Sequence, residues 1–339
     1  MGVAVPVAAR MASIFRRGLA LETAGLLAIS LVLTRGPLPG HARDPEVAVD
    51  SAPLIGRDRA NAPVAPPPIH PAVSRIVAGA FYSQAMQTQR SFDIYLPPSY
   101  EQSADRTYPV LYLLHGDGGR VGDWVALGLR AKMDQSIAGG APEMLVAMPD
   151  GSGHFGDLTD WANRWNGTDP VEDQVMDLLS FVDQSYRTIP DRSTRFIGGL
   201  SSGGFGSLNL ALHHPDLFST AMSFSGFIAA KDREADPGVF GDNPAYVDRN
   251  SPAALVTSQA GAGDIYYVLS GGQKDSYFQH RMAEFSAQLD RLGIAHEFHV
   301  VPGGHDGTAW DAGLDFGLAH LAAATRNTLI SMRKNRQPQ

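Results

Sequence analysis

Gly199-Leu200-Ser201-Ser202-Gly203-Gly204 sets a serine in the pattern G-x-S-x-G. A serine on a cramped strand-to-helix turn can act as a nucleophile. Its neighbours must be small, because larger side chains would collide with it or with a substrate. Ser201 fits the central position and Ser202 does not. The Ser202 backbone N–H is instead suited to binding an oxyanion. An ordinary Gly/Ser turn carries the same letters, so the motif needs partners elsewhere. Acyl transfer needs a second N–H aimed at the oxyanion. Leu113-Leu114-His115-Gly116-Asp117-Gly118-Gly119 offers a glycine-rich turn, with the Asp117 backbone N–H as the choice and Gly118 as its alternative. His115 is a tempting base, but a histidine at a strand end more often holds a loop by hydrogen bonding. Asp275, in Ser270-Gly271-Gly272-Gln273-Lys274-Asp275, can hold an imidazole tautomer and stabilise the imidazolium. His305, in Val301-Pro302-Gly303-Gly304-His305-Asp306, lies in a glycine-flanked loop that lets its ring reach a nucleophile. Asp306 is the rival acid. Taken singly, Asp275 reads equally as a solvated turn aspartate, and His305 as a surface or metal-ligating histidine.

These residues need elements to bring them together. Arg90–Leu96 alternates polar and apolar residues, as a half-buried strand does. Pro109–Leu114, Met144–Met148, Arg195–Leu200 and Ile265–Leu269 are short apolar runs, the mark of strands buried on both faces. Glu297–Val301 is a last strand. Val171–Tyr186 repeats apolar residues at Val171, Val175, Leu178, Leu179 and Val182, near helical period. Phe205–His213 and Tyr277–Leu292 are further helices. Strands alternating with helices predict an α/β fold, a mostly parallel central sheet with helices on both faces. Ligands then sit at the carboxyl ends of the strands, and each motif above follows a predicted strand. The chain order Ser201, Asp275, His305 is that of the α/β-hydrolase fold.

The chemistry expected is nucleophilic: His305 takes the Ser201 proton, an acyl-enzyme forms, and water releases the acid. It requires no cofactor. No H-E-x-x-H or clustered His/Asp spacing suggests a metal. Trp124, Asp150, Trp161, Arg164, Trp165 and Trp310 are candidates for lining the substrate cleft, with ordinary loop packing as the competing reading. His213-His214 precedes Pro215 on a helix, and His296 and His299 frame the last strand. Asn166-Gly167-Thr168 spells a glycosylation sequon and is read as incidental.

Four stretches carry a family resemblance: RSFDIYLPPSY (Arg90–Tyr100), YPVLYLLHGDGG (Tyr108–Gly119), GLSSGGFGSLNLALHHPDLF (Gly199–Phe218) and GGHDGTAW (Gly303–Trp310). Together they resemble the Putative esterase family of α/β-hydrolase serine esterases. Its members include feruloyl and acetyl-xylan esterases, enterochelin-esterase-like proteins, S-formylglutathione hydrolases and secreted mycolyltransferases. The match runs from about 75 to 325. It implies Ser201, Asp275 and His305 as a catalytic triad and the Asp117 and Ser202 N–H groups as the oxyanion hole. Ser202 departs from the family's frequent methionine, but only its backbone N–H is needed. The members differ in acyl and acceptor groups, so ester hydrolysis, acyl transfer to a sugar or lipid alcohol, and binding on an inactive hydrolase scaffold are distinct outcomes.

The 339 residues are 44% hydrophobic and 18% charged, as in a soluble globular protein with a large core. A net charge of -8 without a basic stripe disfavours nucleic-acid binding. The absence of cysteine removes disulfides, thiolate catalysis and Cys-based zinc sites. Residues 1–42 combine Arg10, Arg16 and Arg17, an apolar run from Thr23 to Thr34, and the small-x-small site Gly40-His41-Ala42. They read as an export signal. Extended back through Glu22 to Gly18, the run reads instead as a signal anchor, the one route to a membrane. Residues 43–72 form a Pro-rich linker, 73–332 the catalytic domain and 333–339 a basic tail. The expected location is therefore secreted or extracytoplasmic, and the expected partner is a small-molecule or carbohydrate ester.

Overall fold

In the computed structural model, eight strands among the described residues form one sheet, in the order β1-β2-β4-β3-β5-β6-β7-β8. The strands are β1 (Arg75–Ser83), β2 (Thr88–Leu96), β3 (Val110–Leu114), β4 (Leu145–Pro149), β5 (Arg195–Leu200), β6 (Thr220–Phe224), β7 (Tyr266–Gly272) and β8 (His296–Val301). The structure describes residues 73–154, 156, 158–233 and 237–335, all within a unit running from Pro67 onward. The signal, the linker and positions 336–339 of the basic tail lie outside the described residues. β1 and β2 pair antiparallel, β2 joins β4 antiparallel, and every pairing from β4 to β8 is parallel.

The apolar runs are explained by burial on both faces: every residue of β3, β4, β5 and β6 is buried. Side chains alternate between two cores, as the two-residue pleat requires. In β3, Val110, Tyr112 and Leu114 face one core, and Leu111 and Leu113 face the other. The first core is covered by α3 (Val171–Ser185), α4 (Ser202–His213), α6 (Pro252–Ser258) and α7 (Ser276–Leu292). The second is covered by α1 (Asp123–Ala126), α2 (Leu129–Ala138) and α8 (Gly307–Asn335). All five stripe residues of α3 are buried, contributing about 1.5–3 kcal/mol each by removal from water. A short helix, α5 (Pro244–Arg249), lies between α4 and α6 in the chain.

Several features differ from expectation. β1 and β6 are additional strands. β7 continues past Leu269 to Gly272, and α4 begins at Ser202 rather than Phe205. α8 is a 29-residue helix that carries Arg333 and Lys334 in its last turn, where cations complement the helix dipole. His296 is part of β8 rather than framing it.

The topology fixes where chemistry can happen. From β3 the chain crosses to one side to form β4, then returns to the other side to form β5. The crevice outside the carboxyl ends of β3 and β5 is the point where strand order reverses, the usual ligand position in such sheets.

His213 and His214 form a polar cluster away from that crevice. Both donate to Glu172 Oε1 at 2.9 Å, and His213 Nε2 lies 2.7 Å from the Arg249 carbonyl. Both neighbours of the His213 ring are acceptors, so this geometry requires an imidazolium. Burial alone would raise the Glu172 carboxyl, but hydrogen bonds from the two histidines hold it down at about 2. Burial likewise opposes a charged His213, yet its bond to Glu172 raises it above the ordinary 6.5. Glu172 therefore stabilises the fold above about pH 4.5, a contribution lost as pH falls towards 2. The His213 contribution is complete below about 6.5 and is lost as pH rises through its raised value. Glu172→Gln is expected to lower the melting temperature most near pH 5.5. The gap to wild type should narrow in acid and in alkali; a pH-independent gap would show that charge is not what the cluster contributes.

Candidate active site

Ser201 stands between β5 and α4 at φ 52°, ψ -119°. A non-glycine residue there is strained, and such strain persists only where the surroundings over-determine it. They do so here. The Ser201 N–H donates to the Phe224 carbonyl at 2.9 Å, tying the turn to the end of β6. A Cβ on Gly199 would run into the Gly203 backbone, and one on Gly203 into the carbonyls of Leu114 and His115. The two glycines of the motif are thus demanded by backbone-to-backbone approach.

Asp275 is the N-cap residue of α7 and is buried. His305 follows β8, and its side chain is 32% exposed. The two turns are fastened together: Gln273 N–H donates to Val301 O at 2.8 Å and Lys274 N–H to Gly303 O at 2.9 Å. As a result His305 Nδ1 donates to Asp275 Oδ2 at 2.7 Å, and His305 Nε2 receives the Ser201 hydroxyl at 2.9 Å. Asp306 points elsewhere. Its carboxylate accepts N–H bonds from Gly304, Ala309 and Thr308, which hold it below the ordinary carboxylate range. It caps α8.

The Ser202 N–H is in the first turn of α4, where helices leave N–H groups without helical partners. The turn bearing Asp117 is closed by Gly119 N–H to Gly116 O at 3.1 Å. Asp117, Gly118 and Ser202 line one cavity of about 90 Å³, together with Gly116, Thr159 and Trp161. His115 supports this wall. Its Nδ1 donates to Gly116 O at 2.8 Å and its Nε2 accepts from Gly151 N–H at 3.0 Å. Burial pushes His115 below its ordinary value, which matches the neutral tautomer these bonds require.

The six cleft candidates separate. Trp161 lines the cavity, lies against Gly151 and Gly206, and donates its Nε1–H to His115 O at 3.0 Å. Trp310 meets the His305 ring edge-on at 5.3 Å. Trp124 is a correction: it is buried in the second core, edge-on to Phe224, with Nε1–H on Leu114 O at 3.1 Å. Asp150 is a second: its carboxylate accepts from Ser152 N–H and hydroxyl, shaping the loop. Arg164 is a third. It braces the same region through Asp169 Oδ2 at 2.9 Å, Gly238 O and Leu158 O. Trp165 is 54% exposed and packs on Gly241. The sequence reading missed Phe278, which stacks on His305 with ring centroids 4.1 Å apart. The Tyr277-Phe278 pair just after the acid was the available signal. It also missed Asp160, which lines the cavity and, like Trp161, adopts positive φ (48° and 61°). Among the described residues no group of three or more His, Asp or Glu side chains is arranged to hold a metal, and no helix is long and apolar enough to cross a membrane.

The family model described as "Putative esterase" matches residues 83–321. Esterase Rv1288 of Mycobacterium tuberculosis is 29% identical over 259 residues, covering 66% of this chain and 54% of that protein. An endo-1,4-beta-xylanase/feruloyl esterase of Xylanibacter ruminicola is 27% identical over 165 residues, covering 46% of this chain and 22% of that protein. The chain thus spans about half the length, or less, of these curated relatives. Among solved structures, a ferulic acid esterase superposes with a TM-score of 0.66 at 26% identity, over 74% of this chain and 98% of that one. An S-formylglutathione hydrolase from Agrobacterium tumefaciens shares the fold, with a TM-score of 0.64 at 18% identity over 75% and 96% of the two chains. The fold is the α/β-hydrolase fold, and the relatives support carboxylic ester hydrolysis.

Proposed function

The chain belongs to the Putative esterase family, and from that premise we propose that it cleaves carboxylic esters through an acyl-enzyme on Ser201. The observation that carries this reading is the continuous relay from Ser201 Oγ to His305 Nε2 at 2.9 Å and from His305 Nδ1 to Asp275 Oδ2 at 2.7 Å. His305 removes the hydroxyl proton as Ser201 Oγ bonds to the ester carbonyl carbon. The carbonyl electron pair moves onto oxygen, and the backbone N–H groups of Asp117 and Ser202 donate to that oxyanion. Asp275 stabilises the imidazolium, which then protonates the departing alcohol. Water repeats the sequence on the acyl-enzyme, releasing the acid and restoring Ser201. No step requires a cofactor.

The proposed substrates are acylated carbohydrates or similar small esters outside the cytoplasm. Two features support this: the feruloyl and ferulic acid esterases among the relatives, and the export-signal pattern of residues 1–42.

The test is hydrolysis of p-nitrophenyl esters from acetate to palmitate, beside labelling by a fluorophosphonate. Turnover with labelling at Ser201 is the expected result, and the chain-length profile narrows the acyl pocket. Labelling without turnover would redirect the assignment to acyl transfer, read by adding sugar or lipid alcohols. Neither labelling nor turnover would leave a binding protein on a hydrolase scaffold.

A further inference from the structure

The imidazole of His305 is held by more than its two hydrogen bonds. Phe278 covers one face, with ring centroids 4.1 Å apart and planes inclined by 24°. Trp310 meets the same ring edge-on at 5.3 Å and 88°. Phe278 lies in the first turn of α7, whose N-cap is Asp275. One helix start thus supplies both the carboxylate facing Nδ1 and the aromatic face against the ring. Phe278 is itself backed by a small core of Ala162, Phe205, Phe227, Ala230, Val239 and Phe240, in which Phe205 and Phe227 stack at 4.2 Å.

We propose that Phe278 is a positioning residue for His305, fixing the imidazole plane and stabilising the imidazolium formed in each half-reaction. The inference rests on the reading of His305 as general base. Two physical arguments support it. Hydrogen bonds at the two imidazole nitrogens are directed outward in the ring plane, so distances of 2.7 and 2.9 Å to Asp275 and Ser201 do little to resist tilting about the line between the two nitrogens. A face-on aromatic contact opposes that tilt. The ring also gains a unit charge when it takes the serine proton, and a cation over an aromatic face is attracted by the ring quadrupole. Covering one face removes water, which works against the charge. That cost is limited, because the side chain stays 32% exposed and a carboxylate faces it at 2.7 Å.

The experiment compares Phe278→Leu, Phe278→Met and Phe278→Tyr with wild type in ester hydrolysis, fluorophosphonate inactivation rate and melting temperature. Leu and Met keep apolar bulk against the small core but remove the π face; Tyr keeps the face. In the Leu and Met variants kcat should fall about 3- to 30-fold, the range expected for loss of a cation–π contact. KM should stay within about twofold, and the inactivation rate should fall in parallel. Phe278→Tyr should restore most of kcat. The proposal is overturned if folded Leu or Met variants keep wild-type kcat, if only KM changes, or if Tyr falls as far as Leu. A wild-type protein that neither turns over nor labels overturns the parent reading as well. Wild-type turnover with an unaffected Leu variant overturns this inference alone.

Discussion

Ser201→Ala is expected to lower kcat by about four to six orders of magnitude while leaving the fold in place. The fold should survive because alanine keeps the Cβ that position 201 already accommodates at φ 52°. The anchoring bond to Phe224 O is made by the backbone. Only the Oγ is removed, and with it the atom 2.9 Å from His305 Nε2. The cavity bearing Asp117 and Ser202 remains, so a residual rate from oxyanion binding should persist above that in water. Long-time-course hydrolysis of an activated ester, with fluorophosphonate labelling in parallel, measures both quantities. Near-normal turnover by the alanine protein would remove Ser201 from the mechanism.

Asp275→Asn should fold normally and lose roughly 10⁴ in kcat. The carboxylate 2.7 Å from His305 Nδ1 keeps the proton on that nitrogen, leaving Nε2 free to accept from serine. An amide that turns its N–H₂ towards Nδ1 selects the other tautomer, and it carries no charge to balance an imidazolium. Asp306→Asn is the matched control. Asp306 caps α8 through Gly304, Thr308 and Ala309, so its loss should lower the melting temperature and leave kcat close to wild type. The reverse pattern would assign the acid to Asp306.

The juxtaposition of Ser201, Asp275 and His305 was legible because each sits on a glycine-marked turn directly after a strand of the sheet. Gly199 must be glycine because its Cβ would meet the Gly203 backbone within the motif itself, whereas Gly203 answers to the Leu114 and His115 carbonyls across the sheet. β6 was not legible. Thr220-Ala221-Met222-Ser223-Phe224 has one β-branched residue, and it is a strand because β5 and β7 flank it. The start of α8 was hidden by Gly307, Gly313 and Gly317, since glycine weakens a helix. Gly313 and Gly317 let it lie close to Phe224, Ser270 and Met222 on the sheet. The tryptophans separated for a related reason. Buried indoles usually find an acceptor for the N–H. Trp124 and Trp161 use the consecutive carbonyls of Leu114 and His115, and residue type does not say which ring enters the second core and which lines the cavity. Arg164 likewise has a charge suited to a ligand, but three internal acceptors occupy it.

The division of the site across the sheet has a consequence for synthesis. Ser201 and His305 are separated by 104 positions in the chain. At about 5–20 residues per second a ribosome needs about 5–20 s to travel between them. During that interval the nascent polypeptide holds the Ser201 turn, and β6 can already pin it, but it lacks His305. On the proposed mechanism the serine stays unreactive until β7 and β8 dock side by side and bring Asp275 and His305 to it. Any product terminated before β8 would fail to react with a fluorophosphonate, and reactivity would appear only in chains that have completed the sheet.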